Sequence, residues 1–336
     1  LLLHSRETSI VRRAAAIIHV LSSNQNNDTH LYESSAPYAL LQAFQANIKD
    51  HHCSECISAA LSNFVSNNTE LASQISTEEH FTILKQACKI HKKDLKILKS
   101  TILIMKALVL SKYDFYTFID LPIDKKKVYF IDQNVGSLLL QKQLSNQDLA
   151  KAVLLLMPPS PEESSLISSA MIKYSKDEEI QYAGLLHNIT DVSAINRALL
   201  TCGENAFKYA YESLQKIDDI LPPQTITFLL SLNRFDAIDL LLIHISRQSA
   251  SAIAAQFKLN YLEQIVIADA LTKLHLWEPT ESDYTTILTS LYHSIFDQRQ
   301  LLTALTFAQK IGLTESSFPL LIDAIKRYPT NKEIVG

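Results

Sequence analysis

The chain has 336 residues, beyond the size at which a single compact core usually stops growing, so two domains or a stack of repeats is expected. Its 5 glycines fall far below the usual roughly 7%, which excludes folds that lean on glycine turns, such as β-rich or doubly wound sheets, and favours helices joined by short turns. The net charge of −4 averages three unlike stretches: residues 1–84 carry 4 Lys and Arg against 8 Asp and Glu, residues 85–127 carry 11 against 4, and residues 128–336 carry 16 against 23.

The chain opens Leu1-Leu2-Leu3 without an initiator Met, which we read as a processed chain or a part of a longer one. SIVRRAAAIIHVLS predicts a first helix and SSNQNNDTH a polar loop. Ser34 to Ile48 predicts a second helix with Pro37 in its first turn, Cys53 to Val65 a third, and NNTE the opening of a fourth. Ser76-Thr77-Glu78-Glu79 is a capping box that starts a helix running to about His91, and a further helix covers Asp94 to Ser111. YDFYTFIDLPIDKKKVYFIDQN then has aromatics, a proline and three consecutive lysines but no helical period. We read 113–133 as an irregular connection, with room for a short strand, between an N-terminal helical region at 1–112 and helical repeats at 134–328.

Past Asn134, Ser145 with Asp148 marks one helix start, and Ser160-Pro161-Glu162-Glu163 marks another. Anchors for the first helix of successive hairpins fall at Leu166, Ile195, Phe228, near Phe257, Tyr284 and Phe318, the last two 34 residues apart. First helices are expected to begin near 161, 191, 223, 280 and 315, with Tyr284 and Phe318 buried between hairpins.

EPTESDYTTIL has Pro279 five residues before Tyr284, LPPQTITFLL has Pro223 five before Phe228, and SPEESSLISSAM has Pro161 five before Leu166. NRFDAIDLLL, from Asn233, and GLTESSFPLLIDAI, from Gly312, look like the second helix and the junction of the same unit. Over residues 160–328 the chain resembles the pentatricopeptide-repeat family, in particular degenerate members acting as fungal mitochondrial RNA-maturation and translation-activation factors. The resemblance implies an all-α right-handed superhelix, an α-solenoid of stacked hairpins, that binds single-stranded RNA in the mitochondrial matrix. It also implies that the residue after each anchor reads a base. Those residues are Ile167, Asn196, Leu229, Thr285 and Pro319, of which Asn196 and Thr285 have side chains suited to the task.

From the residues themselves, LKQACKIHKKDLKILK places Lys85, Lys89, Lys92, Lys96 and Lys99 at steps of 4, 3, 4 and 3, one stripe on a helix or helix pair, with Leu84, Cys88, His91, Leu95 and Leu98 as an apolar seam beside it. Phosphates are the ligand such a stripe attracts; the competing reading is a solvated lysine face. Cys53-x-x-Cys56 and Cys88-x-x-His91, with His51 and His52 nearby, hold four residues of zinc-ligand type. Cys53 and Cys88 are 35 residues apart, however, as packing residues of successive hairpins would be, and no metal or cofactor is expected. The four cysteines are too few for a disulfide framework and point to a reducing compartment. No Walker loop, HExxH or GxSxG occurs, which speaks against an enzyme. His187, His244, His275 and His293 are scattered and read as surface or core histidines. The apolar runs TILIMKALVL and AIDLLLIHI fall short of the ~20 residues that span a bilayer, so a soluble protein is expected. Two readings stay open: an RNA-binding helical repeat, and an α-solenoid scaffold for protein partners, which the acidic stretch 128–336 favours.

Overall fold

The structure is a computed structural model that describes residues 4–217 and 318–330, with scattered residues between 221 and 305. The chain divides into two compact units, Leu1–Lys216 and Ile217–Gly336. Every described element is helical, and no strand occurs among the described residues.

Fifteen α-helices lie in the first unit: α1 Thr8–Ser22, α2 Asp28–Glu33, α3 Ala36–Asn47, α4 His51–Asn67, α5 Thr69–Gln74, α6 Glu78–Ile90, α7 Leu95–Lys112, α8 Phe115–Asp120, α9 Ile123–Lys126, α10 Gln133–Gln143, α11 Gln147–Leu156, α12 Ser164–Lys173, α13 Glu178–Leu185, α14 Val192–Cys202 and α15 Glu204–Lys216. Their starts follow from short polar side chains that satisfy otherwise orphaned N–H groups. Asp50 accepts from Cys53 N, Asn68 from Leu71 N, Thr77 from His80 N, Asp94 from Lys96 N and Ile97 N, Asp177 from Ile180 N and Asp191 from Ala194 N. Two start signals act differently from expectation. Asn146, and not Ser145, caps α11. Ser160 donates to the Pro158 carbonyl (2.7 Å) and opens only a 3₁₀ turn at Pro161–Glu163, so α12 begins at Ser164.

Five hairpins result: α3/α4, α6/α7, α10/α11, α12/α13 and α14/α15. Their second helices pack in one row, α1 on α4, α4 on α7, α7 on α11, α11 on α13 and α13 on α15, while first helices meet at α3–α6, α10–α12 and α12–α14. Phe44, Phe64, Phe81, Phe118 and Phe207 are the largest fully buried side chains of this core. Two glycines permit close approach inside hairpins: a Cβ on Gly136 would lie 2.5 Å from the sulfur of Met157, and one on Gly184 would lie 2.4 Å from that of Met171.

Residues 113–133, expected as an irregular boundary, lie inside the first unit as the short helices α8 and α9 followed by a turn. The aromatics that hid any helical period there are what fix it. Tyr129 is buried edge-on against Phe81 (4.9 Å between centroids) and Phe118 (5.7 Å), and Ile131 N donates to the Leu156 carbonyl (2.9 Å). The helix Phe318–Arg327 brings a correction, since Phe318 is 53% exposed where the repeat assignment buries it. Among the described side chains of that helix Ala324 is buried, and a six-residue offset carries Phe318 far round from it at 3.6 residues per turn. The register is also displaced at two other anchors: Leu166 and Phe228 are half-buried, whereas the following Ile167 and Leu229 are fully buried and cannot reach a base. Near 223 the chain passes from non-helical Leu221 and Pro222 to helical Gln224 and Thr225, whereas Tyr284 and the start expected near 280 lie outside the described residues.

Candidate nucleic-acid interface

The lysine stripe does not survive as one face. α6 stops at Ile90, the turn His91–Asp94 reverses the chain, and α7 restarts the helical phase at Leu95. Lys85 and Lys89 therefore stand on one arm of a hairpin, Lys92 in its turn, and Lys96 and Lys99 on the other arm. Lys85 is half-buried and donates to the Val128 carbonyl (2.7 Å), and burial lowers its pKa. Lys96 donates to Glu55 (2.9 Å), Lys99 is half-buried, and only Lys89 and Lys92 are exposed without a carboxylate held against them. Asn196 is half-buried on α14, in the fifth hairpin, and Thr285 lies outside the described residues.

A different basic grouping takes the stripe's place. The turn inside a hairpin carries Lys49-Asp50 between α3 and α4, Lys92-Lys93-Asp94 between α6 and α7, and Lys176-Asp177 between α12 and α13. In each, the aspartate caps the second helix and also receives a side chain from the preceding second helix of the row. Arg12 of α1 donates to Asp50 (3.0 Å), His51 of α4 pairs with Asp94, and from α11 Gln147 donates to Asp177 (2.6 Å) while Lys151 pairs with it (3.1 Å). The Cys53 N–H bond is the largest influence holding the Asp50 carboxyl below its usual range. At Asp94 burial pushes upward, but Ile97 N–H, His51 and Lys96 N–H outweigh it. At Asp177 burial likewise pushes upward and is outweighed by Gln147, Ile180 N–H and Lys151. Glu55 and Glu179 are taken up by Lys96 and Lys151 (2.8 Å).

Hydrogen bonds tie the first turn to the second and the third, fourth and fifth in series. His91 Nε2 donates to the Ile48 carbonyl (2.7 Å), joining the first two turns. Tyr174 donates to the Leu144 carbonyl (2.7 Å), joining the third and fourth, and Thr201 donates to the Ser175 carbonyl (3.1 Å), joining the fourth and fifth. With Asp50, Asp94 and Asp177 already engaged, Lys49, Lys92, Lys93 and Lys176 stand exposed beside the N-termini of α4, α7 and α13, and Lys142 and Lys173 are exposed close to the third and fourth turns. This edge combines ammonium groups with the positive ends of helices, which is what an anionic backbone requires. Lys-Asp dipeptides ahead of apolar helices are the sequence signal for it.

The cysteine set does not converge on a shared point. Cys53 is buried with its Sγ–H donating to the Thr8 carbonyl (3.6 Å), and burial pushes the Cys53 and Cys88 thiols up to about 12, so neither supplies a thiolate at neutral pH. Among the described residues, one group of side chains comes close enough to share a cation, His51, His52 and Glu55, but His51 and Glu55 already serve Asp94 and Lys96.

Among the described residues no helix is long and apolar enough to cross a membrane. Comparison of the sequence with protein-family models and with curated proteins finds no match.

Proposed function

We propose that the protein is a non-catalytic α-solenoid, its hairpins stacked in a right-handed superhelix, that binds single-stranded RNA across the edge of hairpin turns. The compartment is the mitochondrial matrix, as the pentatricopeptide resemblance implies, and the role is in RNA stability, processing or translation. The observation that carries the reading is the row of exposed Lys49, Lys92, Lys93 and Lys176 beside aspartates that already hold partners from within the fold. Exposed cations whose local counter-charges are occupied remain available to phosphate, whereas the expected stripe has spent Lys85 and Lys96 internally.

The test is a salt titration of binding to unstructured RNA. Each phosphate contact adds about −0.7 to the slope of log affinity against log salt for a single strand, so four lysines give about −2.8. Changing Lys49, Lys92, Lys93 and Lys176 to Glu is expected to flatten that slope and weaken binding to all sequences alike, while Lys85→Gln leaves the slope unchanged. An unchanged slope in the four-site variant overturns the reading. The second reading, a scaffold for protein partners, is favoured by one observation: Ile10, Ile17, Val20 and Leu21 of α1 are exposed, forming an apolar face.

A further inference from the structure

We infer that His51, His52 and Glu55, at the start of α4, form a binding site for one zinc ion or a dication of similar preference, with Asp94 behind His51 as its orienting partner. Ligand atoms of the three side chains, one from each, already lie within 4.8 Å of one another. Steps of four and three residues set His51 and His52 each beside Glu55 on the helix surface. Around a tetrahedral zinc with bonds of about 2.0–2.2 Å, neighbouring ligand atoms are about 3.4 Å apart. Both imidazoles are exposed and Glu55 is half-buried, so rotation of the side chains closes that gap while the Asp50 cap keeps the first turn of α4 in place. Water takes the fourth position.

The contacts these residues already make suit a metal centre. His51 pairs through Nε2 with Asp94, which is itself held by the backbone N–H groups of Lys96 and Ile97. A neutral imidazole that donates from Nε2 carries its lone pair on Nδ1, and a carboxylate behind the ring is the common outer partner of a metal-bound histidine. Glu55 is held by Lys96 (2.9 Å), but the Lys96 side chain is 81% exposed, and an ion pair so open to water exchanges readily. His52 meets the His51 ring edge-on, with 5.3 Å between centroids. His91 stays outside the set, because it is buried and donates to the Ile48 carbonyl. Lys49, Lys92, Lys93 and Lys96 stand on the adjoining turns, and with the positive end of α4 they repel any dication held by charge alone. That disfavours calcium and magnesium, which need several oxygen ligands, and leaves ions that seek imidazole.

The test is titration of the full chain with zinc chloride in competition with a chromophoric chelator, and in parallel with magnesium chloride. None of the ligands is a lysine of the turn edge, so the outcome does not depend on RNA binding. One zinc ion is expected to bind with a micromolar dissociation constant, and magnesium far more weakly. His52→Ala is expected to weaken zinc binding at least tenfold. Asp94→Asn, which keeps the helix cap, is expected to weaken it about tenfold, the low end for an outer partner. Lys96→Gln frees Glu55 and removes a repelling charge, so it is expected to tighten binding about threefold, a gain that a misfolded variant would not show. Affinity unchanged in His52→Ala or in Asp94→Asn, no gain in Lys96→Gln, zinc and magnesium bound alike, or no zinc bound at high-micromolar concentration overturns the site.

Discussion

Burial is the largest influence on His187 and drives its pKa down to about 4, although the Leu154 and Pro158 carbonyls both favour the charged ring. The unfolded chain, with an ordinary histidine pKa near 6.5, binds a proton between pH 6.5 and 4 that the folded chain does not. Stability is therefore fully present above pH 6.5 and falls as pH drops through that window, by about 2 kcal/mol at pH 5. His187→Gln removes this titration. Urea midpoints at pH 7 and pH 5 are expected to diverge more in the parent than in the variant, and equal pH dependence would show that the imidazole is not held neutral. Gly184 offers a second single-residue test. In Gly184→Ala the new Cβ meets both the sulfur (2.4 Å) and Cγ (2.6 Å) of Met171, so the variant is expected to lose about 1–3 kcal/mol despite the better helix propensity of alanine. Gly136→Ala presses mainly on the sulfur of Met157 and is expected to lose less in the same denaturation assay.

At the scale of the element, the caps do two tasks at once, and substitutions can separate them. Asp94 holds the N-terminus of α7 through two backbone N–H groups and also receives His51 from α4, whereas Asp191 caps α14 through Ala194 alone. Asp94→Ala is expected to cost about 2 kcal/mol, Asp191→Ala about 1 kcal/mol, and Asp94→Asn less than either because the cap remains and only a partly exposed pairing weakens. Urea midpoints check the order, and Asp94→Asn falling level with Asp94→Ala would place the stabilisation in the ion pair. Caps of this kind were legible in the sequence because they act through the residues that follow them. Asp94 and the Thr77 box gave the starts of α7 and α6 to within two residues. The lysine stripe was misread because a count of 4, 3, 4 and 3 is meaningful only while the helical phase continues, and the turn at His91–Asp94 resets it. The burial of Lys126, and the choice between surface and core for His187, arise where residues distant in the chain line one cavity, which no local pattern records.

For the whole molecule, the decisive feature is that the five hairpins of Leu1–Lys216 satisfy one another. Each second helix packs on the next in the row, and α15 buries Ala206, Phe207, Ala210 and Leu214. In a linear stack, stability is the sum of each unit and its contacts with neighbours, so a cut between units costs one interface and leaves the others intact. The sequence suggests all-helical hairpins with a division at 113–133, a stretch that carries no helical period in the sequence but does carry core residues. Tyr129, Phe118 and Ile131 are buried there and tie α6/α7 to α10/α11, so a cut in that stretch would open the core. The fragment 1–216 is accordingly expected to keep its helicity and to unfold in one cooperative transition. It also contains Lys49, Lys92, Lys93 and Lys176, so it should reproduce the salt slope of the full chain for unstructured RNA. The fragment 1–120 is expected to lack a cooperative transition, because Phe81 and Phe118 lose Tyr129. Circular dichroism melts of the two fragments decide the matter: a cooperative 1–120 together with a non-cooperative 1–216 would move the division of the molecule back to 113–133.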